Sequence, residues 1–174
     1  MKKGERAVII TASGFQDEEY IYSYYRLQEA GVKVDVATKD KVVVYGKYGV
    51  PARPTISTVE LCVDDFDLVV LPGGFEAPDR LRLLPEVLEF IRIMDAQHKL
   101  IAAICHGPWI LISAGITKGR KMTAYWSIEA DVRNSGADYQ HQVPVVIDGN
   151  LITSPHYNNN GDFMRAVIDY LGKA

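Results

Sequence analysis

The stretch LIAAICHGP, residues 100–108, decides the fold. Its first five residues are apolar, which is typical of a strand buried on both faces of a parallel sheet. Cys105 and His106 follow at the point where the strand ends, and Pro108 suits the first turn of a helix. A strand that turns at once into a helix presents the turn residue in a strained position, as it presents the serine nucleophile in α/β-hydrolases. The segment therefore predicts an α/β protein with Cys105 at a sharp turn.

Strand and helix signals alternate along the rest of the chain. The patterns predict strands at 6–11, 32–36, 67–71, 100–104, 121–124, 143–147 and 151–153, and helices at 17–30, 85–97, 108 to near 115, 127–134 and 160–172. The irregular stretch 40–62 is punctuated by glycine and proline and is expected to hold short strands or a hairpin. Asp148-Gly149 predicts a hairpin turn at one edge. Together these patterns predict a doubly wound, mostly parallel sheet with an antiparallel edge hairpin.

The length of the chain favours one domain over residues 1–174, because 174 residues can bury a single core without disulfides or metals. Hydrophobic residues make up 48%, an ordinary proportion for a globular protein. The formal net charge is −3 and the basic residues are scattered, so we expect no nucleic-acid partner.

No membrane or secretion signal stands out. The apolar run at residues 7–10 is too short for the core of a signal peptide. No segment reaches the roughly 18 apolar residues of a membrane-spanning helix. The two cysteines, Cys62 and Cys105, do not make a disulfide framework in a chain that can build a core. We therefore expect a cytoplasmic protein.

Three segments are expected at one edge of the sheet, since ligands of open parallel sheets bind beyond the carboxyl ends of the strands. These segments are residues 13–19, 72–79 and 105–108. The new helix after Cys105 points free N–H groups and its positive dipole end at the sulfur, which favours a thiolate. The alternative is a small core cysteine. Cys62 has no basic neighbour and no comparable turn, and is interpreted as structural.

Glu19 is the carboxyl most suited to that edge. It follows Asp17 and Glu18 and precedes Tyr20-Ile21, where the helix pattern becomes apolar. A buried carboxyl would have a raised pKa and could act as a general acid or base. The alternative is that the three acids only complement the helix dipole.

Gly73-Gly74 lets the backbone approach a ligand closely. The N–H of Gly74 and the N–H of His106 could together form an oxyanion hole. The alternative is an ordinary turn. A phosphate-binding loop is disfavoured, because no glycine-rich nucleotide motif is present.

Either of two histidines could serve Cys105. His106 is adjacent, although neighbouring residues on a turn usually point apart, and His156 follows the last strand. His98 and His141 are interpreted as surface or structural residues. No spacing suits a metal site, so we expect neither metal nor cofactor.

Several motifs make the chain resemble the ThiJ/PfpI superfamily, and more closely its PfpI-type branch of intracellular cysteine proteases, glyoxalases and deglycases. They are FQDEEYIYSYYRL from Phe15, LPGGFEAPDR from Leu71, AAICHGPWILISAG from Ala102, GRKMTAY from Gly119 and VVIDGNLITS from Val145.

The resemblance implies a flavodoxin-like fold related to class I glutamine amidotransferases, with Cys105 as the reactive cysteine and His106 as its partner. It implies that Glu19 hydrogen-bonds the cysteine and that Tyr125 lies near the pocket. It also implies a homo-oligomer, a dimer or a hexamer, in which Asp79 from a neighbouring subunit completes a triad. The substrate would be a small aldehyde or a peptide.

The chain departs from the family pattern at several positions. Gln16 and Asp79 stand where glutamates are usual, and Glu76 is an extra residue in its loop. Trp126 replaces a proline after the pocket tyrosine, and residues 155–160 differ from the usual loop. These departures concern the triad, the substrate and the assembly.

Three functions remain open from the sequence. The first is an enzyme in which Cys105 attacks a carbonyl carbon, as a hydrolase, a cofactor-free glyoxalase or a deglycase. The second is a non-catalytic redox sensor or stress-protective protein in which Cys105 is oxidised. The third, an amidotransferase, ranks last, because the late His-x-Glu pair of that class is replaced by His156-Tyr157-Asn158.

Overall fold

The computed structural model describes residues 4–172. Its helices and strands follow in the order β1 (Arg6–Ile10), α1 (Asp17–Glu29), β2 (Lys33–Thr38), β3 (Val44–Tyr45), β4 (Pro51–Ala52), β5 (Ile56–Ser57), β6 (Leu68–Leu71), α2 (Glu76–Leu81), α3 (Pro85–Ala96), β7 (Leu100–Ile104), α4 (Pro108–Ala114), β8 (Lys121–Met122), α5 (Glu129–Asn134), β9 (Asp138–Tyr139), β10 (Val146–Asp148), β11 (Leu151–Ser154) and α6 (Asn160–Gly172).

The main sheet has seven strands in the order β10-β11-β7-β6-β1-β2-β5. All neighbours are parallel except β10 and β11, which form the antiparallel hairpin at one edge. The mostly parallel α/β sheet and its antiparallel edge confirm the predicted fold class. The central strands β6, β7 and β11 are buried along their whole length, which explains the continuous apolar sequence of β7.

The sheet is wound in two directions. The crossover from β1 to β2 runs toward one edge, and the crossover from β6 to β7 runs toward the other. Because such crossovers are right-handed, α1 and α3 cover opposite faces. Helix α6 packs on α1, and α4 packs on α3. The direction reverses between β1 and β6, where the loops that follow these strands diverge and leave a crevice.

The irregular stretch 40–62 contains the short hairpin β3–β4, as predicted, together with the edge strand β5. Other boundaries differ from the sequence prediction. The strand expected at 121–124 covers only β8, and the one expected at 143–147 begins later, at Val146. Helix α2 was not predicted, because its six residues include Pro78, and this proline is tolerated only because it lies in the first turn.

Within residues 4–172, no helix is long and apolar enough to cross a membrane. The single domain over residues 1–174 stays a prediction. Residues 1–3 and 173–174, which that prediction includes, lie outside the described part.

Candidate active site

Cys105 lies at the end of β7 with a φ of 61°, in the left-handed region that few residues other than glycine adopt. Such a conformation costs about 1–2 kcal/mol and persists only where neighbours hold it. The Cys105 N–H donates to the Ser154 carbonyl at 2.9 Å, and the Cys105 carbonyl accepts from the Tyr125 N–H at 2.9 Å. The strained turn predicted from the sequence is therefore present and held from both sides.

Two glycines allow this turn to pack. A Cβ on Gly107 would collide with the carbonyl oxygen of Leu71. A Cβ on Gly73 would lie 2.6 Å from the Cβ of Cys105 and 2.9 Å from Oε2 of Glu19. Only glycine fits at either position, since real Cβ atoms do not approach other atoms so closely. The backbone after β6 thus reaches the cysteine directly.

The backbone N–H groups of Gly74 and His106 are close enough to the Cys105 sulfur to lower the pKa of its thiol. These are the two donors that the sequence suggested for an oxyanion hole. Gly74 has a φ of 80°, and a Cβ there would collide with the Gly14 carbonyl, so the loop after β1 fixes its orientation. The pair can stabilise negative charge on the sulfur or on an oxygen bonded next to it.

Glu19 is fully buried beneath the cysteine. Its Oε2 accepts the Gly73 N–H at 2.6 Å, and its Oε1 has no hydrogen-bond partner among the described residues. Burial raises the pKa of Glu19 to about 8, against the smaller lowering by the Gly73 N–H and Cys105. The carboxyl is therefore mainly protonated at pH 7 and can donate a hydrogen.

The prediction that the helix start favours a thiolate meets an opposing effect. Burial raises the pKa of Cys105, and the charge of Glu19 raises it further when that carboxyl ionises. The N–H groups of Gly74 and His106 lower it, but by less. Desolvation therefore outweighs the two N–H groups, and the resting sulfur is a thiol that needs a base to react.

His106 is the candidate for that base by position. Its Nδ1 lies 3.2 Å from the Cys105 sulfur, so the side chains of these adjacent residues meet, against the usual expectation. Burial, with the charge of Lys47, lowers the pKa of His106 to about 4, and the ring is neutral at pH 7. Its Nε2 lies 3.2 Å from the Ser127 hydroxyl oxygen. If Nδ1 accepts the thiol proton, Nε2 carries a hydrogen that Ser127 accepts.

A cavity of about 440 Å³ opens above the sulfur. Its walls combine the loops after β1, β6, β7, β8 and β11 with the β3–β4 turn, and they are formed by Gln16, Lys47, Tyr48, Gly74, Phe75, Cys105, His106, Tyr125, Ser127, His156 and Tyr157. The carboxyl ends of the strands therefore meet as predicted.

His156 lies in this cavity but makes no hydrogen bond to Cys105. Its Nδ1 accepts the Asn158 N–H at 3.2 Å, and its ring stacks on Tyr125 with centroids 5.9 Å apart. Trp126 does not line the cavity. It stacks on Tyr125 at 4.0 Å and on His156 at 5.6 Å, so it supports the wall from outside. His106, rather than His156, is the histidine that meets the sulfur.

Gln16 is buried in the cavity wall. Its Nε2 donates to Glu18 Oε2 at 2.6 Å, and its Oε1 accepts from Lys47 Nζ at 3.2 Å. Asp79 lies on α2, exposed and outside the cavity, and makes no hydrogen bond to His106 within the chain. Its expected role requires a second copy and is not tested by a single chain.

Sequence reasoning missed Lys47 and Ser127. Lys47 falls in the irregular stretch 40–62, where no periodicity showed which side chains face the site. Ser127 follows the pocket tyrosine by two residues, and that spacing was the one available signal. Cys62 is exposed, as befits a residue without a site role.

Within residues 4–172, no three His, Cys, Asp or Glu side chains are arranged to hold a metal ion. The residues at the site suit other chemistry: a thiol, a neutral imidazole, a protonated carboxyl and two backbone N–H groups.

The fold and the site together define an α/β protein with a candidate nucleophilic cysteine at a strand-to-helix turn. The DJ-1/PfpI family model matches residues 5–170, so the chain belongs to the DJ-1/PfpI family. The resemblance stated from the motifs is thereby confirmed.

Relatives agree with this membership. The chain is 41% identical to deglycase PfpI of Pyrococcus furiosus over 166 residues, covering 95% of this chain and 99% of that protein. It is 36% identical to general stress protein 18 of Bacillus subtilis, covering 98% and 99%. The crystal structure of Drosophila melanogaster DJ-1beta matches with a TM-score of 0.92 at 32% identity, covering 97% of this chain and 91% of that one. The fold is flavodoxin-like, as predicted.

Proposed function

We propose that this chain is a cysteine-dependent enzyme in which the Cys105 sulfur attacks the carbonyl carbon of a small aldehyde or ketone. One observation carries the proposal: the sulfur lies 3.2 Å from a neutral imidazole nitrogen, beneath two backbone N–H donors, at the floor of an open cavity. A nucleophile, a base and an oxyanion hole are the parts that such an attack requires.

The first step follows from these positions. His106 Nδ1 takes the thiol proton while the carbon–sulfur bond forms. The electron pair of the carbonyl moves onto its oxygen, where the N–H groups of Gly74 and His106 are placed to stabilise it. The oxygen then takes up a proton, and the product is a hemithioacetal.

A 2-oxoaldehyde can proceed from there. In its ionised form, Glu19 takes the proton from the sulfur-bearing carbon and returns it to the adjacent carbon, while the hydroxyl proton passes to the oxygen of that adjacent carbon. These transfers leave a thioester on Cys105. Water hydrolyses the thioester to a 2-hydroxy acid and regenerates the thiol. The buried carboxyl, with one oxygen free of partners, supports the role of Glu19.

A peptide or amide is the other substrate class in this proposal. The same attack would expel an amine and leave an acyl-enzyme, with His106 returning its proton to the leaving nitrogen. The limited volume of the cavity, about 440 Å³, favours the smaller carbonyl compound. The name of the Pyrococcus furiosus relative, a deglycase, also favours carbonyl chemistry.

The test is D-lactate formation from methylglyoxal without metal or glutathione. We expect lactate from the wild type and a loss of about 10³-fold or more in Cys105→Ala, because the nucleophile is gone. Cys62→Ala is the matched control and should retain the rate, since Cys62 is exposed and outside the cavity. No lactate from a protein whose Cys105 still alkylates would contradict the carbonyl proposal, and peptide substrates would then be tested.

We also propose that the enzyme is a cytoplasmic homo-oligomer in which Asp79 of a neighbouring copy approaches His106. The exposed position of Asp79 on α2 supports a contact between copies rather than within one. Asp79→Ala should lower turnover about 10- to 100-fold, by loss of an orienting carboxylate, and should leave Cys105 alkylation almost unchanged. Full activity in a variant shown to be monomeric by sedimentation would refute the shared site.

A second function is favoured by one specific contact. The protonated Glu19 beside the sulfur can donate to an oxygen of an oxidised cysteine, and the N–H groups of Gly74 and His106 add two more donors. A redox sensor would convert its thiol to a sulfinate with two equivalents of peroxide, releasing two waters. A stable two-oxygen mass increase on Cys105, without turnover of any carbonyl compound, would support this function over the first.

A further inference from the structure

One wall of the cavity carries a cation. Lys47 lies in the turn between β3 and β4, and its ammonium lies 5.7 Å from the ring centroid of Phe75 and 5.8 Å from that of Tyr48. Aromatic faces attract an ammonium group and limit its motion. Lys47 is exposed to solvent, and the two rings flank its ammonium where it lines the cavity.

The turn itself is tied to the start of α1. The Asp17 carboxylate accepts the N–H groups of Tyr48 at 3.0 Å and Val50 at 2.9 Å, and the Lys47 N–H donates to the Phe15 carbonyl at 2.9 Å. Asp17 is buried, so these bonds are shielded from water. Helix α1 also carries Glu19. The cation is therefore placed by the same element that places the buried carboxyl.

The Lys47 ammonium uses only part of its hydrogen-bonding capacity. It donates one hydrogen bond, to Gln16 Oε1 at 3.2 Å. Between residues 4 and 172, no carboxylate lies within ion-pair distance of its Nζ. A lysine ammonium has three donors, so two remain for water or a ligand. Gln16 orients the cation without neutralising it.

The charge of Lys47 changes the pKa values of the groups near the sulfur. It contributes to the lowered pKa of His106 and opposes the raised pKa of Glu19. Both of those side chains are neutral at pH 7, and so is the thiol. The ammonium is therefore the one charged group, among the described residues that line this cavity, near the sulfur at that pH.

We propose that Lys47 and Gln16 form an anion subsite that holds a carboxylate of the substrate while Cys105 attacks its carbonyl. The inference rests on the proposed function and adds a preference, within its substrate class, for carbonyl compounds that carry a carboxylate. The Lys47 ammonium donates to one carboxylate oxygen, and the amide of Gln16 keeps the ammonium in place.

A singly charged group suits this subsite better than a phosphate. One ammonium offers two free donors, whereas phosphate recognition generally uses several donors together. Glu18 does not line the cavity, but it accepts a hydrogen bond from the other end of the Gln16 amide and so brings a negative charge near the subsite. That charge repels a dianion more strongly than a monoanion.

The test compares two alkylating reagents of similar size, anionic iodoacetate and neutral iodoacetamide. Each forms a carbon–sulfur bond at Cys105, releases iodide, and leaves the thiol proton to the base. The ratio of the two rates, measured at each cysteine by mass spectrometry, cancels changes in thiol reactivity. Exposed Cys62 provides an internal reference in the same molecule.

We expect the iodoacetate-to-iodoacetamide ratio at Cys105 to exceed that at Cys62, and to fall about 3- to 10-fold in Lys47→Gln, the range that loss of one attractive charge gives. Lys47→Arg should retain most of the ratio. Gln16→Glu should lower it, because a carboxylate there would pair with the ammonium. High salt should also lower the wild-type ratio.

The control is Lys39→Gln, which removes an exposed lysine away from the cavity. An equal ratio in the wild type, Lys47→Gln and Lys39→Gln would overturn the subsite. Because alkylation needs no turnover, this result is independent of lactate formation. Absence of lactate with a Lys47-dependent ratio would instead leave the subsite standing and refute the 2-oxoaldehyde reaction.

Discussion

Two cavities of about 440 Å³ lie at opposite ends of the main sheet, and their polar groups differ in kind. The cavity at the carboxyl ends of the strands exposes Cys105. The cavity at the amino ends is lined by Asp95, His98, Arg120, Asp148, Gly149, Asn150 and Tyr170. The two cavities therefore cannot be distinguished by volume. They differ in the chemistry of the residues that line them.

The charged groups at the amino end are matched. Arg120 donates to Asp95 at 2.9 Å and to Asp148 at 3.1 Å, and it also reaches the side chain of Asn150 at 3.1 Å. Asn150 in turn donates to the Lys99 carbonyl at 3.0 Å. These contacts join the β10–β11 turn to the start of β7 and of β8. The role of this cluster is therefore structural: it stabilises the contact between these segments.

The groups at the carboxyl end are left unmatched. Glu19 keeps one oxygen without a partner, Cys105 has a strained backbone, and Lys47 has no carboxylate beside it, among the residues described. Burial without compensation costs stability, and protein structures retain it where chemistry requires it. The difference between the two ends therefore identifies the active-site candidate better than cavity size does.

The largest expected effect comes from removing the buried acid. The folded pKa of Glu19, about 8, lies above its unfolded value of 4.5, so the folded chain loses stability as the pH rises from about 4.5 to about 8. Glu19→Gln keeps an acceptor for Gly73 and cannot ionise. We expect it to gain on the order of 4 kcal/mol over the wild type at pH 9, and little at pH 5, in urea unfolding.

The same variant should lower the pKa of Cys105, because the charge of Glu19 raises it in the wild type. The pH dependence of iodoacetamide alkylation measures this shift. Equal stability of Glu19→Gln and wild type at pH 9 would mean that Glu19 is not held in a desolvated site.

A smaller effect should follow from breaking the matched cluster. Arg120→Ala leaves Asp95 and Asp148 without their cation and should cost about 1–3 kcal/mol in urea unfolding, as expected for a partly buried network. Cys105 alkylation and lactate formation per folded molecule should not change. Loss of turnover without loss of stability would contradict the structural role of this end.

The smallest effect concerns Ser127. Ser127→Ala removes the hydrogen bond to His106 Nε2 and should lower turnover about 3- to 10-fold, the worth of one hydrogen bond of about 1 kcal/mol. The pH profile of Cys105 alkylation should shift with it, since the imidazole orientation changes. Ser135→Ala, away from the cavity, is the matched serine control. Identical profiles in both variants would show that Ser127 does not position His106.

Much of the architecture was predictable from the sequence. Continuous apolar runs such as Leu100–Ile104 indicate buried parallel strands, and the Asp148-Gly149 pair indicated the antiparallel edge. Both signals are local, so no tertiary information was needed. The motif around Cys105 and His106 likewise predicted the turn, since a strand followed at once by a proline-initiated helix has few other solutions.

The site was predictable only where a residue lay next to such a signal. Glu19 lies in the first turn of the helix predicted at 17–30, and Gly73 and Gly74 closely follow the strand predicted at 67–71, so the sequence indicates all three. The sequence did not predict helix α2 or the position of Lys47, because six-residue helices and short hairpins carry too little periodicity to be assigned.

The sequence by itself determined the class of fold, the edge at which the loops meet and the cysteine that stands there, because the alternation of strands and helices and the turn chemistry are encoded locally. Only the tertiary structure decided the electrostatics. The burial that makes Glu19 and His106 neutral, and the convergence of Lys47 and Ser127 on Cys105, join segments far apart in the chain. Desolvation depends on everything packed around a group, and no stretch of sequence contains that information.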